Sequence, residues 1–376
     1  TLPPVVRADA DLVIWADDTR TPAIQTFADQ FAADNGLTVA VQELGFGDIR
    51  DRLVTAGPVG EGPDIIIGAH DWLGELVSSG VVSPLDLTAV AGDFSDASLQ
   101  AFNYEGQTYG LPYAVENIAL IRNTDLVPDA PATFEELEEV ALGLVADGTV
   151  DIPLALQENG NGDPFHNYPL FTALGGYVFG LNDDGSYNPE DIGIDSEGGL
   201  VAAQAFSDWA AAGLIDVDID YSIMTESFGN GTAPFAITGP WAIPQITENN
   251  PDLNFVIEPV PPAGDDESKP FIGAQAFYVS AFSENQALAQ TFLLDYVNTP
   301  EAMADLFAAQ PRAPAYTPTF NEVSDDPVLA GFGVSGATGE PLPNIPEMGA
   351  VFTPWSDAYV AISQGTSGTQ AFTDAA

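Results

Sequence analysis

The sequence predicts an α/β protein of two lobes, each a mostly parallel sheet flanked by helices, joined by a hinge that the chain crosses more than once. Three observations predict it. Short apolar runs alternate with helical segments from Leu12 to Gly80, and a second such series follows Glu116. Two proline-rich stretches, Pro259–Ser268 and Gln310–Thr319, interrupt the later half. The 376 residues exceed what a single core comfortably organises.

The elements follow in order. Leu12–Trp15 is a short apolar strand, and Thr21–Asn35 is a helix because Ala23, Phe27 and Phe31 recur every four residues before Asn35-Gly36 stops it. Leu37–Leu44 is a second strand, Asp48–Ala56 a second helix, Ile65–Ile67 a third strand and Asp71–Ser79 a third helix. This β-α-β-α-β-α order implies parallel pairing. Asn103–Pro112 is a hairpin with Glu105-Gly106 at its turn. Beyond it come strand Ile118–Arg122, helix Thr133–Ala146 with a Thr133-x-x-Glu136 capping box, strand Ile152–Leu156 and helices Tyr168–Leu174 and Ser196–Ala212. Strands Ala233–Thr238, Phe255–Val260 and Phe271–Ala281 follow, then a helix pair in Glu284–Ala309 and helical patterns at Asp326–Phe332, Met348–Ser363 and Thr369–Ala375. Crossings near 114–118, 259–268 and 310–318 divide the chain into one lobe of residues 1–115 plus 265–313 and another of 116–264 plus 314–376. A cleft between hinged lobes is a preferred place for a small ligand, and in open α/β sheets ligands meet the carboxyl ends of strands.

Composition narrows the ligand. Lys and Arg number 7 against 56 Asp and Glu, a net charge of −49 at pH 7, and Lys269 is the single lysine. Nucleic acid and anionic membrane surfaces need Lys/Arg to meet phosphate and are excluded as partners. With 45% hydrophobic residues the chain is not disordered, so the acids form a coat on a folded protein. No apolar run is long enough to span a bilayer. Thr1-Leu2-Pro3-Pro4 reads as the start of a trimmed or mature chain. Cysteine is absent, which removes disulfides, thiol catalysis and Cys-ligated metals.

A set of ordered blocks then carries a resemblance. Gly62-Pro63-Asp64-Ile65-Ile66 precedes Ala69-His70-Asp71, and Pro112-x-Ala114-Val115-Glu116 follows. Gly175-Gly176-Tyr177, Asp220-Tyr221-Ser222, Gly239-Pro240-Trp241-Ala242, Ser268-Lys269-Pro270-Phe271 and Pro343-Asn344-Ile345-Pro346-x-Met348 come after them. Spanning nearly the whole chain, they resemble the maltose/maltodextrin-binding proteins, the solute receptors of ABC sugar importers. The resemblance implies the periplasmic-binding-protein fold, an extracellular or periplasmic monomer, either free or lipid-anchored before trimming, and closure on a maltooligosaccharide delivered to a membrane permease. It implies no enzyme activity, no cofactor and no metal.

The site residues come from the same resemblance. Asp71 takes the place of the family's sugar-binding aspartate, with a helix N-cap as its ordinary alternative. Glu116 matches the glutamate at the first crossing, against a solvated hinge acid. Trp241 matches the stacking tryptophan, whose flat indole suits the C–H face of a pyranose; by composition alone it is as well placed in a core. Phe352 stands where another stacking Trp is usual, and Trp355 replaces or extends it, unless an amphipathic helix buries both. Asp17-Asp18-Thr19-Arg20 occupies the place of the first-strand acid/base pair, the acid being Asp17 or Asp18, and Arg20 is one of only six arginines. Glu43 ends the second strand at the cleft rim. Three departures stand out: Gly68 replaces a frequent Trp, Trp72 replaces a common Arg, and Ser356 sits where an Arg is usual. Phe165, in Pro164-Phe165, replaces a Tyr that packs under the sugar, and its partner acid is Glu158 or Asp163.

Other motifs carry less. Asn182–Asn188 lacks the first acid that a calcium loop requires, since Gly180 stands there, so a hairpin turn is expected. Gly57–Gly62 precedes a strand and is no phosphate cradle. His70 and His166 lack metal-ligand spacing. Two readings compete with the sugar receptor: a receptor of the same fold for another sugar or small solute, and a carboxylate-dependent glycosidase. The acidic coat points to salt adaptation rather than ordinary acidity. Added salt shortens the Debye length to ~3 Å at 1 M and relieves self-repulsion. The melting temperature is therefore expected to climb with added salt in a thermal scan, and a flat profile refutes salt adaptation.

Overall fold

The structure, a computed structural model, describes residues 5–182 and 186–376. The principal strands of its two main sheets are β1 (Leu12–Ala16), β2 (Val39–Glu43), β3 (Ile65–Ala69), β4 (Gly110–Glu116), β5 (Ala119–Asn123), β6 (Ala155–Leu156), β7 (Phe235–Thr238), β8 (Phe255–Glu258), β9 (Phe271–Ser280) and β10 (Ala313–Pro314), and two short strands, Val82–Ser83 and Glu340–Pro341, pair with the ends of β9. The chain forms two compact units. The first comprises Thr1–Glu116, Gly273–Asp326 and Asn344–Gly349; the second comprises Asn117–Ile272, Pro327–Pro343 and Ala350–Ala376. Glu116 and residues 265–272, 314–326 and 344–349 thus fall on the other side of the division from the sequence expectation.

In the first unit the strand order is β10-β4-β9-β3-β1-β2. Successive side chains of a strand point to opposite faces, and here both faces are covered. Leu12, Ile14, Ile65, Ile67, Phe277 and Val279 enter one apolar cluster with Phe27, Phe31 and Phe292 from helices. Their neighbours Val13, Trp15, Ile66, Ala276 and Tyr278 enter a second cluster with Ile49, Leu53 and Leu73. A strand buried on both sides reads as an unbroken apolar run, which is why Ile65-Ile66-Ile67 shows no alternation. Thr21–Asn35 buries Ala23, Ile24, Phe27, Ala28 and Phe31, and Gly36 closes it at φ 65°, a left-handed cap that favours glycine.

The second unit holds a sheet of order β8-β5-β7-β6. Its core gathers Ile121, Met224, Phe228, Ala236 and Ile246. Thr133 caps helix Phe134–Ala146 by accepting from Glu136 N at 3.2 Å, and the Glu136 carboxylate returns to Ala132 N at 2.8 Å, one residue before the reciprocal partner expected of the box.

The expectation of mostly parallel sheets needs correction. β1 pairs parallel with β2 and β3, as the helical crossovers require, and β7 with β6. β9 is antiparallel to both β3 and β4, β10 is antiparallel to β4, and β5 is antiparallel to both β7 and β8. Parallel direction follows from a local β-α-β connection; β9 and β10 enter the first sheet after the chain has left and returned, so nothing local fixes their sense.

Several boundaries also shift. Ile152–Leu156 shrinks to β6 (Ala155–Leu156). The helix expected from Asp71 begins as a tight turn, His70–Trp72, before Leu73–Ser78. Helix Pro164–Ala173 starts ahead of Tyr168 because Asp163 caps it. Within the proline-rich stretch from Gln310, β10 pairs with β4 and helix Thr317–Val323 follows. Phe179–Leu181 pairs antiparallel with Tyr187–Ile192, while the turn expected at 183–185 lies outside the described residues. Asn103–Tyr104 and Gln107–Thr108 form the expected hairpin, with Glu105 at φ 50° and Gly106 at φ 80°, the double positive φ of a tight two-residue turn.

Asp64 ties the first unit together. It is 1% exposed and accepts from Val13 N at 2.7 Å, from the Arg7 guanidinium at 2.6 Å and from Ser283 Oγ at 2.6 Å. Replacing Asp64 by Ala strands the buried Val13 N–H, and each such donor costs about 1–3 kcal/mol. Urea unfolding of Asp64→Ala is expected to show a loss of at least that size with an unchanged slope.

Candidate functional site

The carboxyl ends of the first unit's strands carry a buried charged cluster. Asp17 follows β1 directly, 3% exposed, and its carboxylate accepts from Thr19 N at 3.0 Å, Thr19 Oγ1 at 2.6 Å and Arg20 N at 3.0 Å. The Arg20 guanidinium pairs with the same carboxylate, donates to the Tyr113 hydroxyl and lies 4.7 Å from the Phe46 ring centre. Burial opposes ionisation of Asp17, but Arg20, Thr19 and Arg312 outweigh it and hold the acid below its ordinary range. Burial likewise works against the Arg20 charge, and Tyr113 and Asp17 overcome it and push the guanidinium pKa up. Tyr113 is itself pushed up by burial.

Glu116, at the end of β4, is 7% exposed. One oxygen accepts from Gln275 Nε2 at 2.7 Å and the other from the Arg312 guanidinium. Asp71 sits in the turn after β3 and makes no capping bond to the following helix, so the N-cap alternative does not hold. Burial pushes its carboxyl up to about 7, against the pull of Arg50. At neutral pH such a group both donates and accepts hydrogen bonds.

The sequence expectations for this unit are therefore sorted. Asp17, Arg20, Asp71 and Glu116 are all buried polar groups near strand ends, whereas Asp18 is exposed. Glu43, also exposed, lines a separate surface cavity of 330 Å³ with Leu44, Asp48 and Arg52. Trp72 is 6% exposed and belongs to the core beside Phe46, ring centres 4.7 Å apart. It explains Gly68: a Cβ there would meet the Trp72 ring at 2.6 Å. The indole fills the space that a side chain at 68 would take.

The second unit repeats the device at its own strand end. A Cβ on Gly239, after β7, would meet the Trp241 ring at 2.1 Å. Trp241 stays half-buried, with Phe165 at 6.2 Å and the His166 ring edge-on at 5.9 Å. Phe165 is half-buried and stacks on Phe271 at 6.0 Å, which stacks in turn on Tyr168. Phe352 is half-buried, but Trp355 is fully buried, packed on Phe171 at 4.8 Å. Although three residues on lies on the same side of a helix, Trp355 is packed under Phe171 and Tyr359 with no surface left for a ligand, so it is structural and does not extend Phe352.

Of the two acids expected beside Phe165, the more open is Asp163. It caps helix Pro164–Ala173 by accepting from His166 N at 3.1 Å and holds His166 Nδ1 at 2.8 Å. Glu158 lies behind it, 1% exposed, accepting from Asp163 N at 2.8 Å and from the Asn167 amide. Burial first, and the Asp163 charge second, push Glu158 up to about 8.

Arg312, Tyr113 and Gln275 were missed in the sequence. The scarcity that singles out Arg20 applied equally to Arg312; Gln275 meets Glu116 only through sheet register, in which β9 lies against β4, and Tyr113 meets Arg20, 93 residues away, only in the fold.

Comparison with known proteins fits this arrangement. The profile of the bacterial extracellular solute-binding protein family matches residues 26–330, and the chain belongs to that family. The chain is 29% identical over 370 residues to a galactooligosaccharide-binding protein of Bacillus subtilis, covering 95% of this chain and 85% of that one. It is 29% identical over 328 residues to a maltotriose-binding protein of Pyrococcus abyssi, covering 84% and 68%. A maltooligosaccharide ABC transporter solute-binding lipoprotein of Streptococcus pneumoniae is 26% identical over 356 residues, covering 92% and 82%.

The raised Glu158 sets a pH test. The folded state keeps this proton up to about pH 8, while the unfolded chain gives it up near the ordinary value of 4.5. Stability from this group is therefore greatest at low pH and falls as pH rises through that window. Glu158→Gln, which carries no charge, is expected to gain on the wild type from about pH 5 to 8, read as the difference between their urea midpoints.

Proposed function

We propose that this chain is an extracellular receptor for a neutral oligosaccharide of the malto- or galacto-oligosaccharide class, passing it intact to the permease of an ABC importer and acting as a monomer. The observation that carries this is the charge balance of the first unit's cluster. In a chain of net charge −49, Asp17 and Glu116 are each matched by a buried guanidinium, Arg20 and Arg312. Two pairs so balanced add little net charge of their own and present acceptors and donors suited to hydroxyls. The half-buried Trp241, Phe165 and Phe352 supply the other requirement of a sugar, flat apolar faces for its C–H surfaces. The named relatives bind galactooligosaccharide and maltotriose, which favours this class over peptides, polyamines or anions.

In this reading Glu116 and Asp71 accept from ligand hydroxyls, Arg20 donates, and Trp241 is the principal stacking surface. Asp163 acts with Phe165 in the second unit. The receptor does no chemistry on its ligand.

Isothermal titration with maltose, maltotriose and a galactotriose tests the reading, with chromatography of the recovered ligand. Binding to at least one of them with the sugar recovered intact is expected. Trp241→Ala is expected to cost roughly 1–3 kcal/mol of that affinity, the range for a packed aromatic anchor. Unchanged heats in the variant remove Trp241 from the site, and release of shorter sugars makes the protein a glycosidase.

A further inference from the structure

Glu116 is offered above as a ligand acceptor, yet a carboxylate is useful in that role only if its lone pairs are aimed. Nothing on its own strand holds it so. Two groups from other strands of the same unit do. Arg312 precedes β10 and pairs with one oxygen of Glu116; Gln275 on β9 donates to the other at 2.7 Å. All three are nine-tenths buried or more, at 7%, 6% and 3% exposure for Glu116, Arg312 and Gln275. With one donor on each oxygen the plane of the carboxylate is fixed, and each oxygen keeps lone-pair capacity for a further donor. Gln275 Oε1 has no partner among the described residues, because the bond to Glu116 commits the amide to present its nitrogen there. Arg312 also faces Tyr113 and adds to the field that keeps Asp17 ionised.

We propose that Arg312 is a positioning residue for ligand binding: its guanidinium fixes Glu116 in one orientation, so that Glu116 accepts from a sugar hydroxyl. The proposal rests on the reading of Glu116 as a ligand contact.

The test uses the full chain and whichever of maltotriose or galactotriose binds the wild type. Arg312→Gln is expected to lose about tenfold or more in affinity. Arg312→Lys restores part of the affinity. Glu116→Gln is also weakened, and Glu116→Gln/Arg312→Gln binds no more weakly than Glu116→Gln alone. Wild-type affinity in a folded Arg312→Gln, or a loss that Lys does not rescue at all, overturns the proposal. If Arg312→Gln does not fold, the double variant, which strands no buried charge, decides: affinity equal to Glu116→Gln supports positioning, and a further tenfold loss overturns it. Wild-type affinity in Glu116→Gln, or no binding of either sugar to the wild type, overturns the reading of the site together with this proposal. Weak Glu116→Gln with normal Arg312→Gln overturns this proposal alone.

Discussion

Cations are the scarce component of this molecule, and the placement of the buried acids follows from where they go. Seven Lys and Arg face 56 Asp and Glu, and each of the seven pairs with a carboxylate. Three buried acids, Asp17, Asp64 and Glu116, receive a guanidinium, from Arg20, Arg7 and Arg312. Two others, Asp71 and Glu158, have no ion-pair partner among the described residues, and burial pushes them up to about 7 and about 8. An acid taken out of water is either matched by a cation or tends to hold its proton. This chain uses both arrangements: cation-paired acids on one hand, and on the other Asp71 and Glu158, which can also donate.

That distribution depends on the backbone. Both faces of the first sheet are packed, so its buried acids gather at or just beyond the ends of strands. Asp17 and Glu116 stand at the ends of β1 and β4, and Asp71 stands two residues beyond β3. In both units a glycine at a strand end leaves room for a tryptophan ring, Trp72 over Gly68 and Trp241 over Gly239. The first indole is absorbed by the core and the second is left half open, so the same local device ends in packing in one unit and in an exposed aromatic face in the other.

Much of this was legible in the sequence where the signal is local. The helix Thr21–Asn35 was readable to both ends because its apolar spacing, its early proline and Gly36 agree. β3 was readable because a doubly buried strand is an apolar run. The ordered blocks pointed to the family and to Asp71, Glu116 and Trp241. What was not legible is what depends on partners distant in the chain. The sense of β9 and the contact between Arg312 and Glu116, 196 residues apart, arise only when separate segments meet. Trp355 could not be assigned from spacing, because one helix face serves equally for a core and for a surface until its neighbour is known.

The pairing of every cation also shapes how the chain meets proteases that cut after lysine or arginine. Such an enzyme finds seven possible bonds, and the side chains of Arg20, Arg122 and Arg312 are only 5%, 7% and 6% exposed. The most open basic side chain, Lys269 at 39%, is followed by Pro270, a bond these enzymes do not cleave. Arg7, Arg50 and Arg52, more open than these three, are each tied to acids, Arg7 to Asp64, Arg50 to Asp51 and Glu75, and Arg52 to Asp48. Scarcity of basic residues, together with the burial and pairing of those present, thus leaves the folded chain few points at which tryptic digestion can start.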